Sequence, residues 1–233
     1  MRSIPLRRWL PVAILLLGLA TFFAFGLNRQ LSLETLSRNE AEITGWVAAN
    51  PLAAAVLYVA ALATAIAFAL PASALLTAAS GFLFGVWIGA MLSVLGGTLG
   101  AAVLFIAART AFRDLFHARA GAALARLEEG FRRDGFSYVL FLRFVPIFPS
   151  WLVSSVSALL GMNPGRFALA TMLGIIPGSL IFASIGADFG LLFKNGQTPD
   201  LGAIFQARTL LPLLGLAILS LMPVLYRRWR RRS

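Results

Sequence analysis

Arg143 is the residue in this chain best placed to do chemistry. It lies about seven residues into an apolar segment, roughly 10 Å at helical rise. A guanidinium at such a depth is costly unless paired or hydrated, so it is read first as functional. Its planar fork can hold a phosphate through two parallel hydrogen bonds. The structural alternative is that it pins a broken helix by bonding freed backbone carbonyls. Pro146 and Pro149 follow closely, and their missing N–H groups force an irregular turn that a headgroup site can exploit. Ser154 lies just beyond them, and Arg166 could draw phosphate towards the same place. Pro71, Ser73 and Thr77 make a second, opposing set. Small hydroxyls can line a polar path, but they also satisfy helix backbones in membranes. Asp188, near the end of an apolar run, is a candidate proton or headgroup residue.

Bond-making chemistry finds little support. There is no cysteine, which excludes thiolate ligands and nucleophiles, and the sole histidine, His117, has no ligand partner nearby. No Gly-rich phosphate loop, nucleophile elbow or intramembrane carboxylate pair is present. The expectation is therefore no enzyme activity, no cofactor and no metal.

The elements that must carry these residues are written in the hydropathy. Of 233 residues, 59% are hydrophobic and 12% charged, against roughly half and a quarter in a soluble domain. Pro11 to Leu27, Pro51 to Ala108 and Phe167 to Ala187 contain no charge at all. Such runs of about 18 residues or more can span a bilayer as helices. The net charge is +11, but the basic residues sit at the edges of apolar runs. That placement fits topology signals and contact with anionic or phosphate-bearing lipid, not nucleic acid, which would need a basic face on a soluble domain.

Orientation follows from the arginines. The N-terminal segment has Arg2, Arg7 and Arg8, the segment from 109 to 135 has six arginines, and the tail has five, from Arg227 to Arg232. All three are expected on the cytoplasmic side, which puts both termini there. Asn28 to Asn50 and Lys194 to Arg208 are charge-poor or mixed and read as external. Trp9 to Leu27 is then a retained signal anchor, being longer than a usual signal-peptide core. Leu70-Pro71 interrupts residues 51–85, and Pro146 and Pro149 interrupt residues 136–165; each stretch is too short for two spans. Each is expected to be a re-entrant helical hairpin, entering from opposite sides.

The fold expected is an all-α polytopic membrane protein. Two oppositely oriented re-entrant hairpins pack among about four spanning helices, with a cytoplasmic amphipathic helix between the halves. Residues 1–50 hold the anchor and an external segment, and residues 51–190 form the membrane domain. That domain divides into a hairpin at 51–85, a span at 86–108, a linker at 109–135, a hairpin at 136–165 and a span at 166–190. Residues 191–233 hold an external loop, a last span over about 209–226 and the Arg-rich tail. Phe112, Leu115, Phe116, Leu124, Leu127 and Phe131 recur in the linker at helical spacing, which favours a helix lying in the interface. Gly81, Gly85, Gly89, Gly96, Gly97 and Gly100 read as surfaces for close helix packing.

Leu70-Pro71, the run Gly81-Phe82-Leu83-Phe84-Gly85, and then Gly89, Gly96, Gly100, Phe105 and Arg109 resemble the first half of the DedA superfamily. In the second half, Arg143-Phe144-Val145-Pro146-Ile147-Phe148-Pro149 resembles the Arg-x-x-Pro-x-x-Pro element of its SNARE-associated Golgi protein branch, whose shared unit is the VTT domain. Phe167, Gly174, Pro177, Gly178 and Gly186 follow at family-like spacings. The resemblance covers about Pro51 to Gly190. It implies movement of phospholipid or an isoprenoid-phosphate carrier between leaflets, scramblase- or flippase-like, on two facing hairpins. It departs from the family where a first-hairpin glutamate and a following aspartate are common: here stand Ser73, Thr77, Ser80 and Ala101. A frequent Asn is Ser154 and a usual Gly is Ala158. Passive exchange, or coupling through Asp188, is therefore favoured over proton coupling by hairpin carboxylates. An ion- or proton-coupled small-solute carrier and a non-transporting scaffold stay open as alternatives. The arginine-heavy composition points to a bacterial inner membrane.

Overall fold

The computed structural model describes residues 39–70, 73–119, 122–145 and 148–188, together with Leu214, Ile218 and Leu221. For residues 40, 111–119, 122–130, 132 and 133 it describes the backbone alone. The anchor over Trp9 to Leu27, Pro71, Pro146, the Lys194 to Arg208 loop and the Arg-rich tail lie outside these residues, as does most of the last span.

Every element among the described residues is helical. They are α1 (Glu40–Ala49), α2 (Pro51–Ala67), α3 (Ser73–Arg119), α4 (Ala122–Phe144), α5 (Ser150–Leu159) and α6 (Pro164–Ala187). Proline opens α2 and α6, where its fixed φ suits a helix and its missing N–H costs nothing. Asn163 caps α6, its side-chain oxygen accepting from the N–H groups of Gly165 at 2.9 Å and Arg166 at 3.2 Å. α1 and α2 meet at a bend of 114°.

Two helix ends share one device. After α2, Leu70 N–H returns to the Ala65 carbonyl at 2.7 Å and Ala69 N–H to Ile66 at 3.0 Å. After α5, Met162 N–H returns to Ser157 and Gly161 N–H to Ala158, both at 3.2 Å. This paired closure needs a left-handed residue, supplied by Gly161 (φ 71°) and, without glycine's freedom, by Ala69 (φ 54°). Leu70 is buried against Ala65, with Phe68 and Leu76 around them, the apolar contact that accompanies such a cap.

α3 folds back on itself. Ser80 Oγ and Ser93 Oγ lie 3.0 Å apart although 13 residues separate them, where a straight helix would hold them about 20 Å apart. The reversal is at Gly85, φ 76° and ψ 171°, a region essentially reserved for glycine. Gly85 was expected to pack against a neighbour; no described atom stands within 4 Å of where its Cβ would be. Its role is the turn. Gly85→Ala is therefore expected to cost about 1–3 kcal/mol, read as a lowered unfolding midpoint in detergent. An unchanged midpoint would contradict the assignment.

The glycines around it do pack. A Cβ on Gly89 would reach the Ser80 carbonyl, and one on Gly96 the Val59 carbonyl and Leu62. Gly100 meets Ala63 and Ile66, and Gly97 meets Ile175. Contacts that advance together along both helices make α2 parallel to the post-Gly85 part of α3, with the short 73–84 helix returning between them. The second half repeats the plan. Gly135 lies near Met162 and Gly174 against Arg143, so α4 runs parallel to α6, with α5 returning between them. The halves meet head to tail: Phe105 stacks on Phe167 at 4.5 Å while Gly97 meets Ile175. Ala101, Phe105, Ala108, Val139, Val153, Ala158, Met162, Phe167 and Ala170 form the shared core.

Among the described residues, α3 and α6 contain the stretches long and apolar enough to cross a membrane, Ser73–Thr110 and Pro164–Ala187, with the bent α1–α2 pair as a third at most. Because α3 reverses at Gly85, only residues 86–110 are available to span, a rise of about 37 Å. That exceeds the hydrocarbon core of about 30 Å. Trp87, Met91, Leu95, Leu99, Val103 and Ile106 leave an apolar stripe of α3 exposed, the pattern of a helix facing lipid. Within residues 109–135 α3 continues to Arg119 and α4 begins at Ala122. The second short helix closes at Gly161, and its long partner starts at Pro164.

Candidate functional site

α4 ends in the turn that carries Arg143, and the chain comes back as α5 from Pro149, its N-cap. This return places the first turns of α5 beside the guanidinium. Arg143 Nη1 donates to Ser150 Oγ at 2.5 Å, and Nη2 donates to Ser154 Oγ at 3.1 Å and to Thr171 Oγ1 at 3.4 Å. Ser154 Oγ in turn donates to the Ser150 carbonyl at 2.9 Å. The guanidinium carbon sits 5.8 Å from the centre of the Phe167 ring, within cation–π range. Gly174 leaves room for the arginine stem: a Cβ there would meet Arg143 Cβ and Cγ.

The accounting around this charge is incomplete. Its hydrogen bonds go to three neutral hydroxyls, and the described residues offer it no carboxylate. Nε is buried and has no acceptor among the described residues. Among the described residues none of its bonds goes to a backbone carbonyl, so the pinning role expected as the alternative would run through Ser150, Ser154 and Thr171. Pro149 provides α5 with no side-chain cap, leaving the positive end of that helix beside the cation. A single-charged group with acceptor oxygens, such as a phosphodiester, would complete this arrangement electrostatically.

A second polar cluster ties the first half together. Tyr58 OH and Ser93 Oγ lie 2.6 Å apart, Ser93 meets Ser80 at 3.0 Å, and Ser80 Oγ donates to the Thr77 carbonyl at 2.7 Å. Three hydroxyl protons serve three bonds, so the buried chain is satisfied. Tyr58 also packs edge-on against Phe84 at 5.7 Å.

The residues singled out in the sequence are thus distributed unevenly. Arg143 and Ser154 are brought together, with Pro149 at the head of α5. Arg166 is exposed in the first turn of α6 and takes no part in the hydrogen bonds of Arg143. Thr77 Oγ1 donates to the Ser73 carbonyl at 2.9 Å, a helix bonding its own backbone. Neither residue bonds the Arg143 group. Asp188 is exposed at the C-terminal end of α6, about 25 Å of helix beyond Thr171. Among the described residues no group of His, Cys, Asp or Glu could hold a metal. Sequence reasoning missed Ser150, Thr171, Tyr58 and Ser93. The four-residue spacing of Ser150 and Ser154 was a local signal; Tyr58 and Ser93, 35 residues apart, had none.

The VTT domain model matches residues 70–188, half of the chain. Transmembrane protein 41 homolog of Dictyostelium discoideum is 32% identical over 164 residues, 68% of this chain and 47% of that protein. Uncharacterized protein YqeD of Bacillus subtilis is 31% identical over 118 residues, 50% of this chain and 57% of that one. Transmembrane protein 41B of Homo sapiens is 26% identical over 164 residues, 69% of this chain and 54% of that protein. The chain therefore spans about half the length of these relatives. No solved structure matches it.

Proposed function

The chain belongs to the VTT domain family, within the DedA superfamily and its SNARE-associated Golgi protein branch, and from that premise we propose that it moves a phosphate-bearing lipid between membrane leaflets. The observation that carries the reading is Arg143: a half-buried cation held by neutral hydroxyls, with a buried Nε that has no acceptor and no counter-charge among the described residues. A phosphodiester entering there exchanges neutral hydroxyl contacts for charge-assisted ones. Each helix–short helix–long helix unit is a re-entrant hairpin plus a span, and broken helices meeting within the bilayer are a recurring design for transport sites. With the flanking spans the protein crosses the membrane about four times, both termini in the cytoplasm, in a bacterial inner membrane.

Exchange by this route is passive and breaks no bond. Ser73, Thr77 and Ser80 supply hydroxyls but no titrating acid to the first hairpin. Asp188, on which a coupled carrier would depend, stands exposed at the far end of α6. Partners are the lipids themselves.

The test is reconstitution of the full chain into liposomes holding a headgroup-labelled phospholipid, followed by an outer-leaflet quencher. Quenching is expected to pass the outer-leaflet share and approach completion. Quenching that halts where it does in empty liposomes would overturn lipid exchange for that phospholipid.

A further inference from the structure

Among the described residues two buried side-chain polar atoms have no hydrogen-bond partner, Arg143 Nε and Thr98 Oγ1. The second is the less expected of the two. A threonine hydroxyl inside a helix has a ready acceptor in the carbonyl four residues back. Thr64, Thr77 and Thr110 each donate to it, at 2.7, 2.9 and 3.0 Å. Thr98 does not, although a covered hydroxyl left unbonded is costly. A buried orphan of this kind needs a physical reason.

The register of the helices places Thr98 across from Arg143. Gly97 meets Ile175 and Phe105 stacks on Phe167, equal steps along α3 and α6 in opposite directions. Thr98 on α3 is therefore level with Gly174 on α6, the glycine that lies against the Arg143 stem. Thr98 comes one turn before Ala101 and two before Phe105, on the α3 face that builds the shared core. α3 and α4 each pack on both α5 and α6. They are thus opposite walls of one four-helix group, with Thr98 on one wall and Arg143 on the other. From α5 and α6 come the hydroxyls of Ser150, Ser154 and Thr171 that already touch the guanidinium. Met91 and Leu95, two turns and one turn before Thr98, are exposed. Thr98 so borders the lipid-facing stripe of α3.

We propose that Thr98 is a contact of the headgroup site, donating its hydroxyl proton to one phosphate oxygen while Arg143 donates to another. Both orphan atoms carry a hydrogen and lack an acceptor. A group that accepts from several sides and donates nothing satisfies both, which describes a phosphodiester anion. A water accepting the same two protons brings two of its own that need acceptors. The inference rests on the lipid-exchange reading and extends its site to the long helix of the first half. A lipid held so is gripped by both halves of the chain.

The test uses the full chain in liposomes and compares wild type with Thr98→Val, which keeps the shape and removes the hydroxyl. Exchange of acyl-labelled phosphatidylglycerol is expected to slow about tenfold, the loss of one hydrogen bond to a charged acceptor. Thr98→Ser keeps the hydroxyl and should exchange at close to the wild-type rate. The unfolding midpoint of Thr98→Val in detergent should hold or rise, because the hydroxyl has no bond within the protein to lose. Exchange at the wild-type rate in Thr98→Val would overturn the proposal and leave an ordered water as the partner of the hydroxyl. Equal slowing by Thr98→Val and Thr98→Ser overturns it as well, since packing and not the hydroxyl would then matter. Should Thr98→Val fold poorly, Thr98→Ala is set against Thr98→Ser instead: a faster serine variant supports the contact and equal rates remove it. Native mass spectrometry of lipid binding separates this inference from lipid exchange itself. If wild type exchanges nothing, weaker binding of phosphatidylglycerol by Thr98→Val, with diacylglycerol bound equally, still supports the contact. Equal binding of phosphatidylglycerol by both proteins removes it.

Discussion

On the proposed lipid-exchange reading, Arg143→Met is expected to slow exchange by about a hundredfold, towards the rate of empty liposomes, with the unfolding midpoint held or raised. The loss follows from the contacts a phosphate would make. Hydrogen bonds involving a charged partner contribute about 1.5–3 kcal/mol each, and a forked pair lost from a rate-limiting state corresponds to two or more decades at about 1.4 kcal/mol per decade. The sign on stability runs the other way. Arg143 is half-buried with a fully buried Nε, and among the described residues its partners are Ser150, Ser154 and Thr171, with no carboxylate. Replacing an uncompensated buried charge by an apolar side chain of similar volume is often neutral or stabilising. The hydroxyls left behind are not all stranded, since Ser154 Oγ already donates to the Ser150 carbonyl. A lysine at 143 keeps the charge and loses the fork, so Arg143→Lys should fall between wild type and Arg143→Met. Exchange assays beside thermal unfolding in detergent separate the two roles. A fall in midpoint with exchange per folded molecule unchanged would make Arg143 a structural pin and nothing more.

The largest stability effect is expected where the two halves touch backbone to backbone. A Cβ on Gly186 would land on the Ala78 carbonyl, and one on Gly81 would land on the Ala183 carbonyl. The contact is reciprocal: the short helix of the first unit crosses the end of α6 with no side chain between them. Neither carbonyl can step aside as a flexible side chain can, because each belongs to a helix. Overpacking a filled site costs about 1–3 kcal/mol and occasionally more, and a backbone obstruction puts Gly186→Leu at the upper end or beyond. The expected result is a sharply lower unfolding midpoint and little monodisperse protein. Gly45→Ala is the control. Gly45 has no described atom within 4 Å of a Cβ, and alanine in a helix interior gains up to about 1 kcal/mol over glycine. If Gly186→Leu unfolds at the wild-type temperature, the crossing of the two units is looser than its geometry requires.

Gly85 and Gly89 show why glycine patterns read from sequence are only half informative. Both look like members of one packing stripe. Gly89 meets the Ser80 backbone, whereas Gly85 meets nothing and turns the chain. Whether a glycine is there for space or for φ depends on what lies across from it, which no local spacing reports. Gly174 makes the same point, since its partner is the Arg143 stem on α4.

What the sequence determined by itself was what composition and local order control. Uncharged runs marked the apolar helices, because the cost of charge in lipid is charged residue by residue. Leu70-Pro71 and the stretch from Val145 to Pro149 marked breaks between helices, because proline forbids the helical bond wherever it stands. Arg143 stood out for the same reason, as a costly group in an apolar segment. Tertiary structure alone decided who meets whom. Thr171 comes to Arg143 across 28 residues and Ser93 to Tyr58 across 35, and the linker resolved into the ends of α3 and α4. Those outcomes depend on how helices of fixed shape fit side by side, and close packing is a property of the whole arrangement rather than of any one segment.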